Sequence, residues 1–341
     1  MAGFDSTAIL ERHVAMKYGL YLNPQFPNGD DPRKALDGLL AQARVAKDTG
    51  FSSIWLPHHF ATNPVRMFDT HTLMARLTAE APDTMIGPAV LLLPVQNPVF
   101  VAEQAATLDW LSGGNYVLAA GLGYREEEFA IHGAKLSERV GRMVESIEVI
   151  RRLWTEERVT HHGKYYHLDD IGLSMRPVRP EGCPIWVGAS VPTSVRRAAK
   201  VGDAWIASFT QTFDQLASLK RDYDAARKEA GLPPPATQPV CRECFIGPDN
   251  ATALATCRPA LLYKYKAYAS WRGEDTAALE ANFDAFIDDH FIVGDAAKVR
   301  DQIAKVIEST GGDHLILRMH WPSLDPAETL KSIERARAII G

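Results

Sequence analysis

"MIGPAVLLLPVQNPVFVAEQAATLDWLSGGNYVLAAGLG", residues 85–123, decides the fold. An apolar run (85–94) leads into a segment of helical period and returns to a second apolar run (115–123). Strands that are apolar on both faces and separated by a helix imply parallel pairing through a right-handed crossover. Working outward, the same unit recurs. "KYGLYLN" (17–23) and "SSIWLPHH" (52–59) precede it, each followed by a helix, near 32–49 and 69–80. "PIWVGAS" (184–190), "AWIASF" (204–209), "PVCRECFIG" (239–247) and "DHLILRMHW" (313–321) follow it. These eight strands predict an α/β chain folded as a (β/α)8 TIM barrel. Two long departures from the rhythm predict insertions after the fourth and seventh strands. The first, "TEERVTHHGKYYHLDDIGLSMRPVRPEG", carries a small hairpin; the second, from Pro248 to about Asp289 with Arg258 and Arg272, is long for a connector. Residues 1–16 read as an N-terminal extension, and 17–341 as a single barrel domain.

Composition agrees with a folded chain. Of 341 residues, 46% are hydrophobic and 23% charged, within the globular range. A net charge of -5 without a dense basic run argues against nucleic acid as a partner. No apolar stretch is long enough to span a bilayer, and Glu11, Arg12 and His13 stand where a secretory apolar segment would lie, so a cytoplasmic protein is expected. The four cysteines are too few to frame a disulfide-held fold. Cys241 and Cys244 form a C-x-x-C on a strand, where residues three apart face opposite ways, so ordinary buried thiols are expected.

In a barrel of this type chemistry gathers at the C-terminal strand ends. The fourth strand ends in Gly121 and Gly123, followed by Tyr124 and Arg125; the glycines either let backbone approach a ligand or make a tight turn into the helix. The fifth ends in Gly188, Ala189 and Ser190, with Thr193 at a helix start, where hydroxyls either cap the helix or bind a phosphate. Together the two strand ends point to a phosphate-bearing cofactor. Asn23 ends the first strand, and Arg318, His320 and Trp321 end the eighth; the latter three suggest a pocket for an organic, anionic substrate. His58 and His59 end the second. Zinc needs three or four ligands, and the other strand ends supply mainly glycines and apolar groups, so no metal is expected and a proton-moving histidine is. Along a strand only one of the pair points inward. His161, His162 and His167, in the polar excursion, are expected to be solvated.

The stretches "FSSIWLPHHF", "LLLPVQNPVFVAEQAATLDWLSGGNYVLAAGLGYREEEF", "RVTHHGKYYHLDD", "PIWVGAS" and "DHLILRMHWP" together, in this order, resemble the bacterial luciferase-like family of flavin-dependent monooxygenases. The resemblance runs from about Lys17 to the C-terminus. It implies a TIM barrel, commonly a homodimer, that uses reduced FMN and O2, or in one branch reduced deazaflavin F420 without oxygen. A separate flavin reductase supplies the FMNH2, and a flavin C4a-peroxide oxygenates a small organic substrate. By the same resemblance His58 matches the histidine at the flavin's reactive edge and His59 its neighbour, and the double histidine followed by Phe60 favours the oxygen-using branch. Ala89 and Val90 match the position of a non-proline cis peptide against the flavin ring. Ser190 and Thr193 match phosphate contacts. Relatives often carry Glu where this chain has Pro57, and luciferase has arginine where this chain has Leu122, which makes Arg125 the candidate for the phosphate charge. An F420-dependent oxidoreductase and a non-catalytic flavin-binding protein are the alternatives.

Overall fold

The computed structural model describes residues 16–63, 65–271 and 275–340. The expected N-terminal extension, apart from Met16, lies outside them, and so does Arg272 of the second insertion.

Eight parallel strands form the barrel: β1 (Lys17–Tyr21), β2 (Ser53–Leu56), β3 (Met85–Leu92), β4 (Leu118–Gly121), β5 (Ile185–Ala189), β6 (Ala204–Ala207), β7 (Pro239–Ile246) and β8 (His314–Arg318). Each pairs with its neighbour in chain order, and β1 pairs with β8 from Lys17↔His314 to Leu20↔Leu317, which closes the ring. Lacing is uneven. The β7–β8 ladder runs from Pro239↔His314 to Glu243↔Arg318, whereas β6 and β7 share the single register pair Ala207↔Val240.

Around the strands lie helices α1 (Pro32–Thr49), α2 (Thr70–Glu80), α3 (Pro98–Leu111), α4 (Glu126–Ile131), α5 (Arg139–Thr155), α6 (Pro192–Val201), α7 (Phe213–Glu229), α8 (Asn250–Trp271), α9 (Ala296–Thr310) and α10 (Pro326–Arg335). Their ends carry the expected signals. Asp31 caps α1 by accepting from the Arg33 amide, and Gly50 stops it in the left-handed region at φ 106. An antiparallel hairpin, Val159–His162 with His167–Ile171, stands between α5 and β5, and α8 with its two following short helices stands between β7 and α9.

The side chains that point into the barrel form their own cluster, with Trp55 stacked on Trp186 at 4.9 Å between ring centroids. Glycine makes this possible. A Cβ on Gly19 would lie 2.8 Å from Trp55 Nε1, and one on Gly87 would lie 2.9 Å from its six-membered ring, so the indole occupies the space those side chains would need. Trp55 Nε1 donates to Ser53 Oγ, which also meets His314 Nε2 at 2.7 Å, while His314 Nδ1 is buried without a hydrogen-bond partner among the described residues. Outside, the larger core packs helices against the strands' other faces. Cys241 belongs to the inner cluster and Cys244 to the outer one, and both are free thiols, as strand alternation requires.

The strands end earlier than their apolar runs. β2 stops at Leu56, so His58 and His59 lie on the loop beyond it and strand alternation does not govern them. The hairpin histidines also divide: His162 is exposed, but His161 is largely covered and its Nε2 lies 3.3 Å from Glu145 Oε1. Glu145 additionally accepts the amides of Tyr165 and Tyr166, which fastens the hairpin to α5.

Candidate active site

A cavity of about 500 Å3 opens at the C-terminal ends of β3 to β7. Its lining includes Ala89, Val90, Gly121, Gly123, Tyr124, Gly188, Ala189 and Ser190, and also Arg139, Ser194, Ile206, Phe209 and Cys241. The Ala89–Val90 peptide bond is cis, at the position the resemblance implies. The glycines around it have a reason internal to the protein. A Cβ on Gly121 would lie 2.2 Å from Val90 Cγ2, and one on Gly188 would lie 2.8 Å from Val90 Cγ1. They give way to a side chain of β3, and Gly123, at φ 72, makes the turn toward α4.

The cavity has two chemically different ends. One is apolar, made by Val90, Ile206, Phe209 and Cys241. The other is polar and sits at the N-terminus of α6, whose N-cap Val191 offers no side-chain acceptor. There the Val191 amide donates to Ser194 Oγ at 3.2 Å, and Ser190 stands exposed beside it. Thr193 is exposed and outside the lining, whereas Ser194 is part of it. Arg139, the first residue of α5, is the one cation of the lining and has no hydrogen-bond or ion-pair partner among the described residues. A helix N-terminus with hydroxyls and a guanidinium suits a phosphate, and the flat apolar end suits a ring system. The residues present therefore fit a flavin-type cofactor.

Arg125 does not serve this cavity. Its guanidinium donates to Phe60 O at 3.0 Å and Ala61 O, and pairs with Glu127 at 2.8 Å. It lines a second cavity of about 470 Å3 together with Gln25, His59, Asn63 and Tyr124, and Tyr124 borders both cavities. His59 Nδ1 lies 2.9 Å from Oε1 of Glu128, a fully buried carboxylate that also accepts the Phe60 amide at 3.0 Å. Burial alone would raise the Glu128 pKa; the hydrogen bond and charge of His59, the Phe60 amide and Arg125 outweigh it and hold the carboxyl below its ordinary value. The carboxylate that Pro57 does not provide thus comes from α4, and nothing in the sequence reading marked it.

His58, expected at the reactive edge, is buried and lines neither cavity. The Leu92 amide approaches its Nδ1 at 3.4 Å and Gln96 its Nε2 at 3.4 Å. Burial, then the neighbouring His71 and His59, push its pKa down to about 3, so it is neutral near pH 7.

The residues grouped as a substrate pocket are split. Asn23 and His320 border a separate cavity of about 730 Å3 between the β1–α1 and β8–α10 connections, with His320 Nδ1 2.9 Å from Thr329 Oγ1. Arg318 and Trp321 turn instead to Glu243 on β7. Trp321 is fully buried, because its indole packs in the cluster made by α8. Arg258 pairs with Asp284 away from all of these.

Among the described residues no helix is long and apolar enough to cross a membrane.

Comparison with known proteins agrees with this geometry. The family model described as luciferase-like monooxygenase matches residues 16–314. An F420-dependent glucose-6-phosphate dehydrogenase of Kineococcus radiotolerans is 32% identical over 57% of this chain and 60% of its own. A 4-hydroxyprotoasukamycin monooxygenase of Streptomyces nodosus subsp. asukaensis is 30% identical over 55% of this chain and 52% of its own. The matches thus span little more than half the length of these curated relatives. Among solved structures, a monooxygenase from Streptomyces bottropensis superposes with a TM-score of 0.82 at 22% identity, covering 94% of this chain and 98% of that one. The oxygenating constituent of 3,6-diketocamphane monooxygenase from Pseudomonas putida, in complex with FMN, gives 0.79 at 22% identity, covering 94% and 96%. At that identity both establish the barrel alone.

Proposed function

Because the chain belongs to the luciferase-like monooxygenase family, we propose that it is an FMNH2-dependent monooxygenase that oxygenates a small organic substrate with O2, its reduced flavin delivered by a separate reductase. The carrying observation is the charge of the first cavity. Its one cation among the described residues, Arg139, beside Ser190 and Ser194 matches one phosphate monoester, as in FMN. Reduced F420 continues beyond its phosphate into a tail of carboxylates, which calls for further cations.

When bound, reduced FMN supplies the electrons that activate O2. The residues of the chain do the rest. Ser190, Ser194, Arg139 and the α6 N-terminus hold the phosphate, while Val90, Ile206 and Phe209 enclose the ring and exclude water. His59, oriented by Glu128 through Nδ1, is the proton-moving group, and it faces the second cavity beside Tyr124, where the substrate sits.

F420-dependent hydride transfer on the same site is the second reading. It is favoured by the curated relatives, several of which are named as F420-dependent dehydrogenases.

A homodimer accords with the outer face of α3. Phe100, Trp110 and Leu111 are exposed there, and Trp110 Nε1 reaches Arg176 O, which brings the exposed Met175 and Val178 alongside. Four free, buried thiols accord with a reducing cytoplasmic setting.

Anaerobic titration of the purified protein with FMNH2 and, separately, with reduced F420 tests the reading. Stoichiometric binding of FMNH2 alone, with oxygen uptake when air is admitted, is the expected result. Binding of reduced F420 alone, with no oxygen uptake, replaces it with the second reading.

A further inference from the structure

The cavity of about 730 Å3 between the β1–α1 and β8–α10 connections exceeds the other two at the strand ends, and nothing said so far gives it a task. Two amides on its wall are almost withdrawn from solvent: Gln42 on α1 is 4% exposed, and Asn23, just past β1, is 6% exposed. The Gln42 side chain has no hydrogen-bond partner among the described residues. Asn23 Oδ1 accepts the Gln25 amide at 3.3 Å, and its Nδ2 has no partner there either. Around Gln42 the buried face of α1 is apolar, with Leu39, Leu40, Ala43 and Ala46. A buried amide that bonds nothing costs free energy that an apolar side chain at the same place would not.

His320 adds an acceptor. Thr329 Oγ1 donates to Asp325 O at 3.4 Å, so it offers only lone pairs to His320 Nδ1, 2.9 Å away. Nδ1 therefore carries the ring proton and Nε2 keeps its lone pair. Burial brings the His320 pKa down to about 4, so the ring is neutral near pH 7.

Charge narrows the choice of ligand. The lining has three carboxylates, Asp30, Asp31 and Asp325, against one ammonium, Lys34, and so repels an anion. A cation would suit the carboxylates but leave the Asn23 and Gln42 N–H groups unmatched. A hydroxyl both donates and accepts, and a row of them answers donors and acceptors set side by side. Phe26, Leu39 and Leu324 supply apolar surface for the C–H faces of a ring that carries such hydroxyls.

We propose that this third cavity binds a neutral, polyhydroxylated ring, the hydroxyl-rich end of the substrate. Gln25 borders both this cavity and the second one, so a single elongated molecule spans from here to His59. This deepens the monooxygenase reading by naming a substrate class, and it rests on that reading for the identity of the ligand as substrate.

Saturation-transfer NMR titrations of the flavin-free protein test the site, with myo-inositol and a set of methyl hexopyranosides as probes, each hexoside beside its uronate. At least one neutral ring should bind with a Kd of about 10 mM or lower, the range that about a dozen non-hydrogen atoms support. Its uronate should bind at least about fivefold more weakly, through repulsion by the three carboxylates. Gln42→Met, which keeps the length of the side chain and removes its donors and acceptor, should weaken the neutral ring about fivefold. No saturation by any ring, a uronate that binds as tightly as its neutral counterpart, or unchanged binding in Gln42→Met overturns the proposal. The comparison of ring with uronate needs no variant. Because no cofactor is present, these outcomes are independent of whether FMNH2 or F420 binds.

Discussion

Position 128 holds a carboxylate on a six-residue helix whose two preceding acids are exposed while it is fully buried. Its Oε1 takes the ring of His59, and its burial gives that bond little competition from water. Glu128→Gln should leave reduced-cofactor affinity within about twofold while lowering turnover by roughly 10²-fold, as expected when a proton-transferring histidine loses its orienting charge. His59→Ala should be at least as damaging. His58→Ala should act on stability instead, since that ring touches neither cavity. Turnover at saturating cofactor, alongside cofactor titration, separates these; a His58 variant that folds normally yet loses turnover would return the role to His58. The histidine pair was legible as a doublet at a strand end. Its carboxylate was not, because the two lie 69 positions apart and no local period records a contact through space. Arg139 escaped for a related reason: it opens a helix after an irregular stretch, with no motif around it.

At the scale of elements, the strands announced themselves by being apolar on both faces, and all eight are present. Their C-terminal ends were overread. Leu122 and Met319 continue the apolar pattern beyond Gly121 and Arg318, although pairing has already stopped. Helix α3 shows the converse limit. It is apolar nearly all round, so its sequence could not tell which face stays outside; the structure leaves Phe100, Trp110 and Leu111 exposed. Trp110→Lys should place a charge in the proposed dimer contact and shift the protein toward monomer, with little change in melting temperature of the isolated subunit. Sedimentation velocity checks it, and an unchanged sedimentation coefficient at low micromolar concentration would remove α3 from the interface.

For the whole molecule, three buried histidines set the response to acid. Burial brings His58 and His314 from 6.5 to about 3, and His320 from 6.5 to about 4. Each is neutral in the fold but takes a proton once unfolded below pH 6.5, so the unfolded state binds more protons and stability falls as pH falls. The carboxylates held low, Glu128 and Glu243, lose their contribution only further down, below the ordinary carboxylate range. The melting temperature should therefore decline already between about pH 6.5 and about pH 5, before carboxylates titrate. Calorimetric scans across that interval check it, and a flat profile would show that these rings are not buried neutral.

The single register pair between β6 and β7 also bears on the molecule as a mechanical object. A closed tube resists torsion through its unbroken circumference; a tube slit along its length loses most of that stiffness. The seam here has that one backbone pair and two side-chain ties, Gln238 to Trp205 O at 2.8 Å and Arg242 to Ser208 O at 3.0 Å, and it runs beside Ile206, Ala207 and Cys241, which form one side of the first cavity. Side chains rather than backbone thus carry much of the closure at the wall of the first cavity, whereas the arc from β7 through β8 to β1 is held by an unbroken backbone ladder.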